Sequence, residues 1–391
     1  MTDGSGASGG GGRLGVGMVG HAFMGAVHSH AWRTAHRFFD LPMVPHLAVL
    51  GGRDLARTKA AAAKYGWASV STDWREVVAS DDVALVDVCT PGDTHAEIAI
   101  AALAAGKHVL CEKPLANTVA EAEEMAAAAA EAAARGIRSM VAFNYRRVPA
   151  IAYARKLVEA GRIGTVRHVR AVYLQDWLSD EQAPMAWRLR KDKAGSGALG
   201  DLGAHIVDAT QYLVGDLLTG VSAVMNTFVH KRPDENGELD DVTVDDAALF
   251  LGRFANGAVA SYEATRFALG RKNAMRVEVN GSLGSIAFDF ESMNELSFYE
   301  GSADDSAGFR RILVTEPTHP YVGAWWPPGH LLGYEHTFTH EVVDLVRAIA
   351  DGADPTPSFA DGLQVQRVLD AVERSATQGS VWTDIQTGGV S

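Results

Sequence analysis

Only two cysteines occur in 391 residues, Cys89 and Cys111. Each closes an apolar, strand-like run, so both read as buried thiols in a reduced, cytoplasmic setting rather than as a disulfide framework. No run of 18 apolar residues is present, which excludes a membrane-spanning helix. Positive charge is in deficit: 35 Lys and Arg against 48 Asp and Glu give a formal charge of −13. That balance argues against an electrostatic binder of nucleic acid or anionic membrane. The first twelve residues, MTDGSGASGGGG, lack the basic and apolar regions of a signal peptide and read as a disordered leader. Internal repeats are missing as well. What is present is an ordinary globular composition, 47% hydrophobic and 21% charged, in a chain long enough for two domains.

In the first third, apolar runs alternate with helical stretches. The pattern predicts strands at Leu14–Met18, His46–Leu50, Ala84–Cys89, His108–Cys111 and Ser139–Phe143. Between them it predicts helices at Ala22 to about His36, Leu55–Tyr65, Thr94–Ala105 and Val119–Arg135. Such alternation implies a parallel sheet covered by helices. Gly66, Gly106 and Gly136 stand where helices should end. Beyond Asn144 the pattern changes. A helix near Ala150–Ala160 leads to a strand at Val166–Tyr173, then to GDLGAHIVD (200–208). Strand-like runs follow at Gly220–Val229, Ala247–Phe254, Ala258–Thr265, Ala274–Asn280 and Gly284–Phe288. FANGAV (254–259) is a hairpin signal, and His230–Asp241 reads as an exposed acidic loop. Two helices, about Glu335–Ala350 and Phe359–Ser375, close the chain. Tight turns between successive strands imply a mostly antiparallel sheet.

RLGVGMVGHAFMG contains Gly15-Val16-Gly17-Met18-Val19-Gly20, after the first strand and before the first helix. In that context G-x-G-x-x-G is a dinucleotide fingerprint: glycines permit the turn and backbone approach, and the helix N-terminus faces the pyrophosphate. Gly15, Gly17, Met18, Val19 and Gly20 are therefore candidate cofactor residues. The fold class is α/β: a Rossmann domain at 13–145, then an α+β domain at 146–391 with a large, open, mostly antiparallel sheet. The second strand ends LAVLGGRD (47–54), with glycines where a ribose-binding carboxylate usually stands and Arg53 next to them. Between NAD and NADP this leans to NADP. Asp54 either serves the ribose or caps the following helix. Two further strand ends carry Thr90, Pro91 and His95, and Glu112 and Lys113, where ligands of open α/β sheets bind.

GDLGAHIVD presents a different problem. On a helix, Asp201 and His205 lie on one face, one turn apart. Buried polar groups need partners, so the two either satisfy each other in a core or line a reactive cavity.

GVGMVG, TPGDTHAEIAIAALAAGKHVLCEKPLA (90–116) and GDLGAHIVD, in this order and spacing, resemble the Gfo/Idh/MocA oxidoreductase family from Arg13 to about Trp382. FNYRRVPA (143–150), YLQDW (173–177), WRL (187–189) and HPY (319–321) are similar to its levoglucosan dehydrogenase, sugar C3-dehydrogenase and inositol dehydrogenase branch. The resemblance implies a nicotinamide ring between Lys113 and the Asp201/His205 helix, with Lys113, Asp201 and His205 catalytic. It also implies a small carbohydrate or cyclitol substrate and an open sheet that pairs copies into a homodimer or homotetramer.

The chemistry agrees. Removing hydride from a carbinol carbon requires a base for the hydroxyl proton, which neutral His205 suits. Asp201 would orient the imidazole, and Lys113 would polarise the oxygen. Tyr145, Arg146, Gln175, Asp176, Trp177, Trp187 and Arg188 would hold the sugar, whereas Tyr173 reads as core. THPYVGAWWPPGH (318–330) is either a lid or an interface segment. A metal held by Asp201, His205, Asp208, His28 and His30 would lack the usual zinc spacing, so none is expected. The expected activity is oxidation of a ring secondary hydroxyl of a sugar, anhydrosugar, glycoside or cyclitol. The alternative is an NAD-dependent glycosidase working by transient oxidation and elimination. A non-catalytic regulator has no need of Lys113, Asp201 and His205 together.

Overall fold

The structure, a computed structural model, describes residues 12–301 and 305–387. The expected leader lies outside the described residues except for Gly12, which opens the first strand rather than ending a leader.

The first part builds β1 (Gly12–Val19), α1 (Phe23–Phe38), β2 (Met43–Gly51), α2 (Leu55–Tyr65), β3 (Ser69–Ser71) and α3 (Trp74–Ala79). It continues with β4 (Leu85–Val88), α4 (His95–Ala104), β5 (His108–Cys111), α5 (Val119–Ala133) and β6 (Ser139–Val141). Among the described residues these form a six-stranded parallel sheet, β3-β2-β1-β4-β5-β6. Its central strands are apolar on both faces: Val16, Met18, Leu85, Val86, Val109 and Leu110 are buried. Covering helices on each side demand that pattern. The order reverses between β1 and β4, which opens a crevice at the carboxyl ends of those strands. Gly66, Gly106 and Gly136 all take positive φ, as helix-ending glycines do. β3 and α3 are too short to show a hydrophobic period and were not expected.

The second part contains α6 (Pro149–Glu159), β7 (Val166–Leu174), α7 (Lys191–Ala194), α8 (Ala204–Val214), β8 (Leu218–Asn226), β9 (Lys231–Pro233) and β10 (Leu239–Asp241). Then come β11 (Ala247–Phe254), β12 (Val259–Thr265), β13 (Ala274–Gly281), β14 (Gly284–Asp289), β15 (Glu295–Glu300) and β16 (Arg310–Leu313). α9 (Tyr334–Asp351), α10 (Phe359–Thr377) and β17 (Thr383–Asp384) complete it. Nine of these strands form one sheet, β16-β15-β14-β13-β7-β12-β11-β8-β17, among the described residues. β7 pairs with β12 in parallel; the other pairs are antiparallel. Burial alternates along β11, so one face of the sheet is packed and the other open. Helices α6, α8 and α10 pack on the sheet. The expected acidic loop is largely a hairpin, β9–β10, and it buries Arg232 completely.

The last two helices return to the first part: α9 packs on α1, and α10 packs on α5 and β8. The 318–330 segment packs there too. Trp325 lies against Phe38 and Phe39, and its Nε1 donates to His340 Nε2 at 2.8 Å. Among the described residues, no helix is long and apolar enough to cross a membrane.

Candidate active site

β1 runs one residue further than expected, and this moves the dinucleotide turn. Gly15 and Gly17 are mid-strand, paired with His46 and Val49 of β2. A Cβ on Gly15 would stand 1.8 Å from the Asp82 carbonyl oxygen, and one on Gly17 2.6 Å from Val77 Cγ1. Those glycines permit close packing of the protein on itself. With Met18 and Val19, buried in the same strand, they are not the ligand loop; this corrects the expected cofactor set. The turn is Gly20-His21-Ala22-Phe23-Met24-Gly25. Gly20 has φ +101°, and a Cβ there would meet Cys89 O at 2.5 Å. A Cβ on Gly25 would lie 2.2 Å from Gly20 O, so helix and turn require that glycine. The N-cap residue Ala22 makes no side-chain cap, and the first turn of α1 holds no acidic group. Its orphan N–H groups thus suit a pyrophosphate. The second window, G-x-A-x-x-G, keeps the fingerprint's spacing with alanine for the middle glycine; a glycine-rich strand obscured it.

At the end of β2, Asp54 accepts from Arg57 N at 2.9 Å, the N-cap alternative. Arg53 is exposed. The loops after β4 and β5 are tied together by buried His95, whose nitrogens face Pro114 O at 3.0 Å and Thr90 O at 2.9 Å. His95 therefore holds the loops in place. Thr90 accepts from Thr94 Oγ1 at 2.7 Å. Beneath these loops lies a charged network. His28 Nδ1 is 3.0 Å from Asp87 Oδ2, and its Nε2 is 2.9 Å from Glu112 Oε1. Burial, the largest single influence, opposes the His28 charge, but Asp87 and Cys89 together outweigh it and hold the imidazole pKa well above its usual value. Glu112 Oε2 in turn accepts from Lys113 N at 3.0 Å. His28, Asp87 and Cys89 are close enough to hold a metal ion, yet they already bond one another, and burial pushes the Cys89 thiol up. His30 is exposed on α1, apart from this group.

A cavity of about 510 Å³ brings Lys113, Tyr145, Asp201 and His205 together. Residues 199–203 form a π-helical turn ahead of α8, so Asp201 and His205 are not one turn apart on a regular helix. Turns of this kind recur at functional sites. Lys113 Nζ donates to Asp201 O at 2.8 Å and to its Oδ1 at 3.3 Å. Asp201 Oδ2 lies 3.9 Å from Arg266 Nη1. Burial works against this carboxylate, but Lys113, Arg266 and Arg188 hold its pKa below the usual range. No hydrogen bond joins Asp201 to His205 among the described residues. The expected orienting role is corrected: the irregular turn aims Asp201 at Lys113. Tyr145 is instead the side chain stacked on His205, with ring centroids 4.4 Å apart. Burial, with Lys113 nearby, pushes the His205 pKa well below its usual value, and its buried Nδ1 has no partner.

A hydrogen-bonded chain adjoins His205 in the lining. Tyr145 OH and Tyr173 OH are 2.7 Å apart, and Tyr173 OH donates to Asn273 Oδ1 at 2.7 Å. Gln175 Nε2 also donates to Asn273 at 2.7 Å, and Trp177 Nε1 donates to Gln175 Oε1 at 2.9 Å. Tyr173 is buried in the core as expected and also lines the cavity, as do Arg188, Asn273 and Lys272. Burial pushes the Tyr145 phenol up to about 12, so it stays protonated.

Three expected sugar contacts do not line this cavity. Arg146 is buried against Asp208, its Nε 2.9 Å from Oδ2 and its Nη2 2.5 Å from Oδ1. Asp176 accepts from Lys272 Nζ at 2.6 Å and so positions that lysine. Trp187 stays outside, with the Arg188 guanidinium 4.5 Å from its ring. The 318–330 segment does not line the cavity either, so it is not a lid in this conformation.

A parallel sheet with its glycine turn at the switch point, facing a cavity built on an open antiparallel sheet, defines a two-part dinucleotide-dependent oxidoreductase. The chain belongs to the GFO/IDH/MocA oxidoreductase family. Residues 14–139 match its oxidoreductase family, NAD-binding Rossmann fold, and residues 151–287 match the GFO/IDH/MocA C-terminal domain. Levoglucosan dehydrogenase of Pseudarthrobacter phenanthrenivorans is 42% identical, over 95% of this chain and 98% of that protein. The crystal structure of an oxidoreductase domain protein from Kribbella flavida shares 68% identity with a TM-score of 0.94, covering 96% of this chain and 100% of that one. A levoglucosan dehydrogenase structure in complex with NADH and levoglucosan shares 43% identity with a TM-score of 0.92, at the same coverage.

Proposed function

We propose that this chain oxidises a ring secondary hydroxyl of a sugar, anhydrosugar, glycoside or cyclitol to the ketone. One observation carries the reading: a buried imidazole, kept neutral and without a hydrogen-bond partner, faces a polar cavity beside a lysine ammonium. When bound, a nicotinamide dinucleotide supplies the hydride acceptor. Gly20, Ala22 and the N-terminus of α1 would hold its pyrophosphate, with Thr90, Pro91, Glu112 and Lys113 at the neighbouring strand ends. His205 takes the hydroxyl proton as hydride leaves. Lys113, anchored by Asp201, donates to the same oxygen and stabilises its developing charge. Tyr145 fixes the imidazole plane, and the Tyr173–Asn273–Gln175 chain presents donors and acceptors to ring hydroxyls. Similarity to levoglucosan dehydrogenase supports the substrate class.

Residues 13–145 serve as the cofactor half in this reading, and 146–391 as the substrate half. The NADH complex of the related enzyme supports NAD. The carboxylate-free end of β2 and exposed Arg53 support use of NADP as well. Arg53→Ala would then lower kcat/KM with NADP and leave it unchanged with NAD. The free thiols fit a cytoplasmic setting. Val224 (60% exposed) and Leu251 (59% exposed) form part of an apolar patch on the open sheet face, the proposed contact of a homodimer or homotetramer. Light scattering with Leu251→Glu tests this.

A panel of monosaccharides, 1,6-anhydrosugars, glucosides and inositols, with each cofactor, tests the activity. Reduced cofactor accumulating with one of them is the expected result. Glycoside cleavage without net reduction would identify a glycosidase, and no turnover with any polyol would refute the reading.

A further inference from the structure

Arg232 on β9 is fully buried, yet among the described residues no carboxylate pairs with it. Burying an unpaired guanidinium is costly, so its two terminal nitrogens are used elsewhere, while Nε is left without a partner. Nη1 donates to the carbonyl oxygens of Asp180 at 2.6 Å and Ala183 at 3.2 Å. Nη2 donates to Leu178 O at 2.8 Å. All three acceptors are backbone atoms of one segment, 178–183. That segment leaves the cavity at Gln175 and Trp177 and returns to it at Arg188.

The rest of the β9–β10 hairpin holds the same stretch. Met185 N donates to Pro233 O at 2.7 Å, and Thr243 N donates to Leu189 O at 3.0 Å. Arg190 pairs with Asp240. Leu178, Leu189, Val242 and Val244 form a small core between them, separate from the two main ones. The hairpin touches the cavity nowhere, but it sets the path of the segment that carries two of the cavity's walls.

We propose that Arg232 is a positioning residue for substrate recognition: by gathering three loop carbonyls it fixes Trp177 and Arg188 against the sugar. The proposal rests on the dehydrogenase reading above. Lys113, Asp201 and His205 stand on other elements, and Lys113 and Arg266, the larger influences on Asp201, stay in place if Arg188 shifts. Loss of Arg232 should therefore be felt in KM for the polyol, not in the chemical step.

The test is steady-state kinetics of Arg232→Met and Arg232→Lys with levoglucosan as the probe polyol, alongside NADH titration. Arg232→Met should raise the polyol KM about tenfold, with kcat and NADH affinity held. Arg232→Lys, which keeps the charge but not the fork, should recover part of that loss. If Arg232→Met does not fold, half-buried Asp240→Asn frees Arg190 and should raise KM about threefold. Unchanged KM in these variants, or kcat and NADH affinity falling together with it, would overturn the proposal. A wild-type protein that oxidises neither levoglucosan nor any other panel polyol would instead refute the functional reading itself, and the proposal with it.

Discussion

Arg146 and Asp208 give the most decisive perturbation, because the two readings of Arg146 predict opposite results. As a sugar contact, Arg146 would affect KM. As found, it forms a bidentate ion pair with Asp208, both side chains buried, with Asp361 Oδ1 a further 3.7 Å away. Asp208→Asn removes the charge and keeps the shape. Breaking a buried pair costs about 3–5 kcal/mol, since the surviving charge is left without compensation. Asp361 remains as a half-exposed substitute, which places the cost near the lower bound, about 3 kcal/mol. At roughly 2.1 cal/mol/K of unfolding entropy per residue, a cooperative chain of this length should lose about 4 °C in Tm. Calorimetry reads that directly, and kinetics at 25 °C should show an unchanged polyol KM. Arg146→Met combined with Asp208→Leu should recover much of the loss, because neither charge is then buried. A raised KM with an unmoved Tm would refute the structural assignment of the pair.

His205→Ala should lower turnover by about 10²–10⁴-fold, the worth of a general base, while NADH titration shows cofactor binding retained. Gly25→Ala should abolish NADH binding, since its Cβ would lie 2.2 Å from Gly20 O; Gly17→Ala should lower stability and leave NADH affinity alone. Burial raises the Glu341 pKa to about 8. The folded state therefore holds a proton that the unfolded state has released, and stability present at pH 4 is lost as pH rises through 8. Glu341→Gln should flatten that decline, as urea unfolding between pH 5 and pH 9 would show.

Both sheets were legible because hydrophobic period and turn residues are local signals. Lys113, Asp201 and His205 could also be singled out, and the structure brings them to one cavity; the part expected of Asp201 could not be read, because a π-helical turn breaks the regular spacing that suggested it. The failures were of four kinds. The dinucleotide turn was placed five residues early because Gly15 and Gly17, needed for packing against Asp82 and Val77, imitate a ligand loop. Arg146 reads as a sugar contact in sequence because neighbours in a short helical turn point different ways: Tyr145 faces the cavity while Arg146 turns to Asp208, 62 residues on. Asn273 and Lys272 were missed because they reach the cavity through pairing of β13 with β7, a register no local pattern specifies. His28 was weighed only as a metal ligand, since its carboxylate partners lie 59 and 84 residues away.

The return of α9 onto α1 and of α10 onto α5 has a consequence for engineering. The cofactor half cannot be lifted out as residues 13–145: cut there, it would lose the helices that cover α1 and α5 and expose their apolar sides. A chimera that exchanges cofactor preference with a relative has to bring α9 and α10 along, or graft only the β1–α1 turn and the end of β2. The two parts of the chain are thus stitched together by their last two helices as well as joined in sequence.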